Sequence, residues 1–139
     1  MRSLPPQARL SRLAFRAGFA WLIAGLVLFA LAGSVPGATA AARHALAIGF
    51  LMSMVVAVGS RLVPALTGGA AFPRRAVVVA LTFTNIAALL RVAFEVVGPA
   101  GALTTTGLAV SGMLAYGALV VFAAAAARTV RSVLGAPSS

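Results

Sequence analysis

The sequence predicts an all-α integral membrane protein, a bundle of four transmembrane helices with the N-terminus and the C-terminus both in the cytoplasm. The first observation is composition, since 62% of the residues are apolar and only 9% are charged, whereas soluble domains carry about 25% charged residues. The second is the arrangement of the charges, which lie mainly between long apolar runs. We therefore predict a single membrane domain over residues 1–139.

Four apolar stretches come close to the length of about 20 residues that a helix needs to cross roughly 30 Å of hydrocarbon. They cover residues of about 17–35, 44–63, 76–97 and 104–127. Helix breakers follow the first three stretches: Pro36, Gly37, Pro64, Gly68, Gly69, Gly98 and Pro99. Before the fourth stretch, the side chains of Thr104, Thr105 and Thr106 are candidate N-caps.

The arginines predict the orientation, because short cytoplasmic loops collect positive charge. Nine arginines fall on one side of the four spans: Arg2, Arg9, Arg12, Arg16, Arg61, Arg74, Arg75, Arg128 and Arg131. Arg43 falls on the other side, and Arg91 lies within the third span. This asymmetry places both termini and the loop between the second and third spans in the cytoplasm.

The first span has a second interpretation as a cleaved secretory signal. It has a basic start, an apolar run and then the small residues of 37–40, which is the order found in signal peptides. We favour a retained span, because its apolar run exceeds the usual length of about 7–15 residues. Cleavage would leave the orientation of the other three spans unchanged.

Composition also excludes several functions. The net charge of +10 comes from eleven arginines spread between apolar runs, a pattern that fits anionic lipid headgroups and argues against nucleic acid. The absence of cysteine excludes disulfides, thiolate zinc sites, iron–sulfur clusters and cysteine nucleophiles. No nucleotide-binding loop or Ser–His–Asp set is present, so we assign no catalytic residue.

Arg91 and Glu95 form the first part of a candidate site. An ionisable side chain within a membrane span is costly and marks a functional site or a helix end. The two residues are four positions apart, so they project from one helix face and can pair. In one interpretation Arg91 reaches towards the headgroups and Glu95 neutralises it; in the other, the pair holds a cofactor group such as a haem propionate.

His44 is the second part, and it is the sole histidine of the chain. We predict that it lies at the outer start of the second span, at the depth of Arg91 and Glu95. Neutral imidazole is a common axial ligand of haem iron and also suits copper, so His44 is the candidate metal ligand. A stripe of Ile48, Leu51 and Val55 would continue its helix face as an apolar wall. A histidine that simply faces the headgroups is the alternative.

Two other polar or aromatic residues lie within spans. Asn85 is in the middle of the third span, and buried amides there usually hydrogen-bond to another helix. Trp21 lies in the first span away from any aromatic belt, and the sequence alone gives it no role in a site.

The second and third spans resemble a protein family. His44-Ala45-Leu46-Ala47-Ile48-Gly49-Phe50-Leu51-Met52-Ser53-Met54, followed by Gly59-Ser60-Arg61 and Thr67-Gly68, is similar to a stretch of the NnrS family, as is the later Asn85 with Arg91-Val92. These are multi-spanning proteins of the bacterial inner membrane that contain haem and copper and are linked to the nitric oxide response. The resemblance, to the C-terminal part of the family, implies that His44 is a conserved-type histidine of a membrane helix.

The departures from the family pattern limit what this chain holds by itself. Family members are longer and carry several histidines, whereas Leu66-Thr67-Gly68 stands here where a second histidine tends to precede Thr-Gly. A second axial haem ligand, and any copper site, would therefore come from a partner subunit or a second copy. The cofactor-binding prediction is haem held by His44, Arg91 and Glu95, without copper from this chain alone.

Two alternatives from other functional classes remain open at this point. The first is a structural or assembly subunit without a cofactor, in which Arg91 and Glu95 form an internal ion pair. The second is a small transporter, which would require discontinuous helices and an inverted repeat.

Overall fold

The computed structural model describes residues 6–68, 72–98 and 101–134. Within them the chain forms five α-helices and one π-helical segment, and no strand. The elements in chain order are α1 (Pro6–Ala30), α2 (Ala38–His44), the π segment (Ala45–Leu51), α3 (Met52–Leu66), α4 (Arg74–Val96) and α5 (Ala102–Leu134). The predicted all-α fold is confirmed.

Four continuous helical stretches are long and apolar enough to cross a membrane: Arg9–Ala30, Ala38–Leu66, Arg74–Val96 and Ala102–Leu134. The second of them joins α2, the π segment and α3 end to end. Large apolar side chains are widely exposed on these helices, whereas the fully buried positions are mostly alanine. Small residues at helix contacts and large ones facing outwards are the pattern of a bundle in lipid. The chain is a multi-pass membrane protein.

The first two helices differ from their predicted bounds. The first helix ends at Ala30, and residues 31–37 form turns where helix was predicted to 35. The second span starts at Ala38 and not at His44, because Gly37 turns the chain with φ 78° and the alanines that follow favour helix. Pro64 does not stop α3, which continues for two more residues to Leu66, although proline lacks the N–H that would bond to the carbonyl of Ser60.

The fourth span is longer than predicted at both ends. It begins at Ala102, so Thr104, Thr105 and Thr106 lie in its first turns and the N-cap prediction is wrong. The Thr105 hydroxyl donates to the Gly101 carbonyl at 3.3 Å, which explains how a threonine fits there. At the other end α5 continues through Arg128 and Arg131 to Leu134, because arginine is a good helix former.

The helices pack in the order of the chain. The second span lies between α1 and α4, and α5 packs mainly on α4 and also touches α3. One apolar cluster joins the start of α1, the end of α3, the start of α4 and the end of α5, around Val56, Phe72, Val77 and Phe122. Consecutive spans therefore run antiparallel.

Eight exposed arginines surround the end of the bundle that holds this cluster. They are Arg9, Arg12, Arg16, Arg61, Arg74, Arg75, Arg128 and Arg131, and we call this end the arginine end. Arg2 lies outside the described residues. Arg43, Arg91, His44 and Glu95 lie towards the opposite end, as the predicted charge asymmetry requires.

Candidate functional site

The three ionisable residues singled out in the sequence lie together in the structure. Glu95 Oε1 is 3.5 Å from His44 Nδ1 and 3.4 Å from Arg91 Nε. The predicted proximity of His44 to the Arg91–Glu95 face of the third span is confirmed. One carboxylate therefore connects the second span to the third.

Glu95 lies in the last turn of α4, where the helix dipole is negative and a carboxylate is disfavoured. Its side chain is only 17% exposed, so water screens that charge little. Arg91, one turn earlier on the same helix, supplies the opposite charge. The contact is an ion pair, since Arg91 Nε forms no hydrogen bond at this distance.

The Arg91 guanidinium also reaches the fifth helix. Its Nη1 donates to the backbone carbonyl of Leu108 in α5 at 3.2 Å. This contact needs α5 close to α4, and Gly107 allows it because a Cβ there would overlap the Phe94 ring. Arginine has five N–H donors, so Arg91 keeps donors on Nη2 for a further partner.

Gly37 brings the start of the second span against the end of α4. Its φ of 78° is in the left-handed region that favours glycine. A Cβ at this position would also collide with the backbone carbonyl oxygen of Glu95. Glycine is therefore required at position 37 for two reasons. The close approach that it allows places α2 where His44 can reach the Glu95 carboxylate.

The surroundings of the His44 ring decide which nitrogen carries the proton. Nδ1 lies 2.9 Å from the Ala40 carbonyl oxygen and 3.5 Å from Glu95 Oε1. Both neighbours accept hydrogen bonds, so Nδ1 is the donor and carries the proton. In the neutral ring the lone pair is then on Nε2, which has no hydrogen-bond partner among the described residues. Metal-bound histidines usually show this arrangement.

His44 does not open its helix as predicted. It is the last residue of α2, about 9 Å along the helix from Ala38 at 1.5 Å per residue, and the π segment follows at once. π-helical turns hydrogen-bond from i to i+5 and often occur at functional sites. They also change the helical register, so the apolar stripe predicted from α-helical spacing is not one face, and Leu51 and Val55 are exposed.

A hydrogen bond between two side chains in the middle of the bundle was not predicted from the sequence. Trp21 Nε1 donates to Asn85 Oδ1 at 2.9 Å, which joins α1 to α4. The prediction that Asn85 hydrogen-bonds to another helix is confirmed, but its partner was not identified. The useful signal was that a single tryptophan and a single mid-span asparagine both occur at membrane depth.

The donor set fits one axial haem ligand and does not fit copper. Among residues 6–68, 72–98 and 101–134, no group of three or more His, Asp or Glu side chains lies close enough to hold a metal ion. Copper sites use several imidazole or sulfur ligands, and the described residues do not bring such ligands together. A haem iron takes a single protein ligand on each side, and Nε2 of His44 is suited to one side.

The sequence profile of one protein family, described as NnrS protein, matches residues 8–132. The match extends well beyond the second and third spans in which the resemblance was first seen. No curated protein and no solved structure matches the chain.

Proposed function

Because the chain belongs to the NnrS protein family, we propose that it binds haem at the membrane through His44 and takes part in the nitric oxide response or in respiratory redox chemistry. The bacterial inner membrane is the proposed location, since the family resemblance implies it and the arginine asymmetry fits it.

The observation that carries the proposal is the pair of hydrogen-bond acceptors beside Nδ1 of His44. Its Nδ1–H is held between the Ala40 carbonyl and the Glu95 carboxylate, and a carboxylate at that position orients the ring so that Nε2 can act as a ligand. Arg91 holds Glu95 in place and retains free donors for an anionic group such as a propionate. Haem would supply the redox-active iron.

A further protein ligand for the haem iron would come from a partner subunit or a second copy of the chain. His44 is the sole histidine, and methionine in an apolar helix is most often packing. A haem shared by two copies would be bound in the ratio of one haem to two chains. Measurement of haem and protein in the purified complex tests that ratio.

A visible absorption spectrum tests haem binding directly. The chain should be purified in mild detergent from haem-replete cells, with an affinity tag that contains no histidine, because a histidine tag would supply foreign ligands. We expect a Soret band in the native protein and its loss in His44→Ala. Arg43→Ala is the matched control, since Arg43 is adjacent but exposed, and it should keep the band.

Two results would contradict the haem proposal. One is a colourless native protein that stays colourless after incubation with haem. The other is a Soret band of equal intensity in His44→Ala. Either result favours the second candidate function, a structural or assembly subunit without a cofactor. The contact of Arg91 with Leu108 favours that candidate, because it ties the ion pair to a third helix without any ligand.

We also propose anionic lipid headgroups as partners of the arginine end. Its eight exposed arginines have no acidic residue near them in the described part of the chain, and each basic residue near an anionic surface contributes about 1 kcal/mol. We expect a higher melting temperature in nanodiscs with anionic lipid than in zwitterionic ones, with the difference removed by salt. Arg128→Gln with Arg131→Gln should reduce the difference and Arg43→Gln should not. Equal melting temperatures in both lipids would refute the proposal.

A further inference from the structure

A series of contacts links the middle of the bundle to the His44 ring. It begins at Asn85 of α4, whose Nδ2 donates to the Leu81 carbonyl of the same helix at 2.7 Å. That bond orients the amide so that its Oδ1 faces α1 and accepts from Trp21 Nε1 at 2.9 Å. The indole N–H of Trp21 is therefore fixed by the Asn85 side chain, which is itself fixed by its bond to the Leu81 carbonyl.

The Trp21 ring lies against the π segment. A Cβ on Gly49 would overlap the ring, so the ring packs directly on the backbone there. On the same face of α1, Gly18 accommodates Met54 and Gly25 accommodates Leu46. The first helix and the second span thus interlock, with Trp21 of the first helix fitting against the single glycine of the π segment.

Gly49 is joined in turn to His44 through the backbone. The π segment has His44 as its N-cap, and in π-helical hydrogen bonding the N–H of residue i+5 pairs with the C=O of residue i. Gly49, on which the Trp21 indole packs, is therefore the residue whose N–H pairs with the His44 carbonyl. Movement of the Trp21 ring would disturb the first π-helical turn.

The series of contacts begins and ends on α4. His44 contacts Glu95, which lies ten positions after Asn85, about 15 Å along the helix at 1.5 Å per residue. The closed loop runs through Asn85, Trp21, Gly49, His44 and Glu95. From this geometry we propose that Trp21 and Asn85 are positioning residues that hold the π segment and thereby fix the His44 ring against Glu95.

The π segment makes this positioning sensitive. Return of the segment to α-helical hydrogen bonding would shift the register by one residue, which rotates α2 by about 100° relative to α3. That rotation would carry the His44 ring away from the Glu95 carboxylate. The functional importance of this closed series of contacts rests on the proposed ligand role of His44. The contacts themselves are present in the haem-free chain.

Nuclear magnetic resonance of the haem-free protein tests the inference. The chain has a single histidine and a single tryptophan, so ¹⁵N labelling of both gives one ring and one indole to follow. In mildly alkaline buffer we expect the native His44 ring as a single tautomer with the proton on Nδ1. Trp21→Phe retains a ring beside Gly49 but removes the N–H, and it should shift the His44 ring signals, because the His44 ring moves away from the Glu95 carboxylate.

A matched control separates positioning from general destabilisation. Phe122→Leu alters a buried aromatic in the cluster at the arginine end, so it should lower the melting temperature while the His44 ring signals keep their native positions. As the reciprocal measurement, His44→Gln leaves Trp21 unmutated, and it should shift the indole N–H signal and speed the exchange of that proton with solvent.

The inference is overturned if Trp21→Phe leaves the His44 ring signals at their native positions. Should that variant fail to fold, an indole signal in His44→Gln identical to the native one overturns it instead. Neither outcome depends on whether haem binds. Loss of haem binding with intact coupling would refute the proposed function alone.

Discussion

Glu95 is the only acidic residue in the sequence, and it contacts both other ionisable residues of the site. Its position at the negative end of a helix dipole is unfavourable without them. Arg91 on the same helix and His44 on the preceding span both offset this cost. The carboxylate therefore acts as a connection between two spans as well as a partner for the histidine.

This connection predicts that Arg91 and Glu95 are energetically coupled. A single charge at bilayer depth costs about 2.5–3.5 kcal/mol on insertion scales, and less near a helix end. Arg91→Leu and Glu95→Leu should each lower the free energy of unfolding by about 1–3 kcal/mol, and the double variant by less than the sum. Thermal or denaturant unfolding in detergent measures the cycle. Strictly additive losses would show that the two side chains do not interact.

The close approach of Gly37 to Glu95 predicts a large effect from one methyl group. Gly37→Ala meets both a positive φ, which costs about 1–2 kcal/mol, and the Glu95 carbonyl oxygen. It should lower the melting temperature and release the His44 ring from Glu95. Gly33→Ala in the same connection is the control, since a Cβ there meets nothing within 4 Å. Equal melting temperatures for the two variants would count against this role of Gly37.

Among the helices, α4 and α5 form the most extensive contact, and glycine makes it close. Gly107→Ala would place a Cβ into the Phe94 ring, and overpacking of this kind typically costs about 1–3 kcal/mol. Gly112→Ala on the same helix meets nothing within 4 Å and should be neutral or slightly stabilising. Unfolding of the two variants in parallel checks the difference, and a neutral Gly107→Ala would mean that the helices can separate there.

The sequence was sufficient for the four spans and for the approach of His44 to Glu95, because both follow from hydrophobic length and from antiparallel neighbours. It was not sufficient for the π segment. In that segment the Trp21 ring packs on Gly49, and neither residue has a periodic signal of its own. The helix start at Ala38 was missed for a similar reason, since alanines next to a glycine turn favour helix without a capping side chain.

For the whole molecule, the arginine end predicts the orientation in the membrane. The native chain has no cysteine, so an introduced cysteine is a unique label. An impermeant thiol reagent added to intact cells should label Leu103→Cys, at the start of α5, and should not label Arg75→Cys. Both should react after permeabilisation. Labelling of Arg75→Cys from outside would reverse the proposed topology.

The helix lengths also fix where the water line falls on the bundle. If the arginine end lies among headgroups, about 20 residues of helix cross the roughly 30 Å of hydrocarbon. That distance runs along α4 from Arg75 to Glu95, and back along α5 from Arg128 to Leu108. Both paths end at residues of the same site.

In that placement His44, Glu95 and the Leu108 carbonyl lie at the far boundary of the hydrocarbon and not deep inside it. A flat amphipathic molecule could arrive there sideways along the bilayer surface, with its apolar body among the acyl chains and its anionic edge still hydrated beside Arg91. It would reach the histidine without any channel through the bundle and without carrying a charge across the membrane.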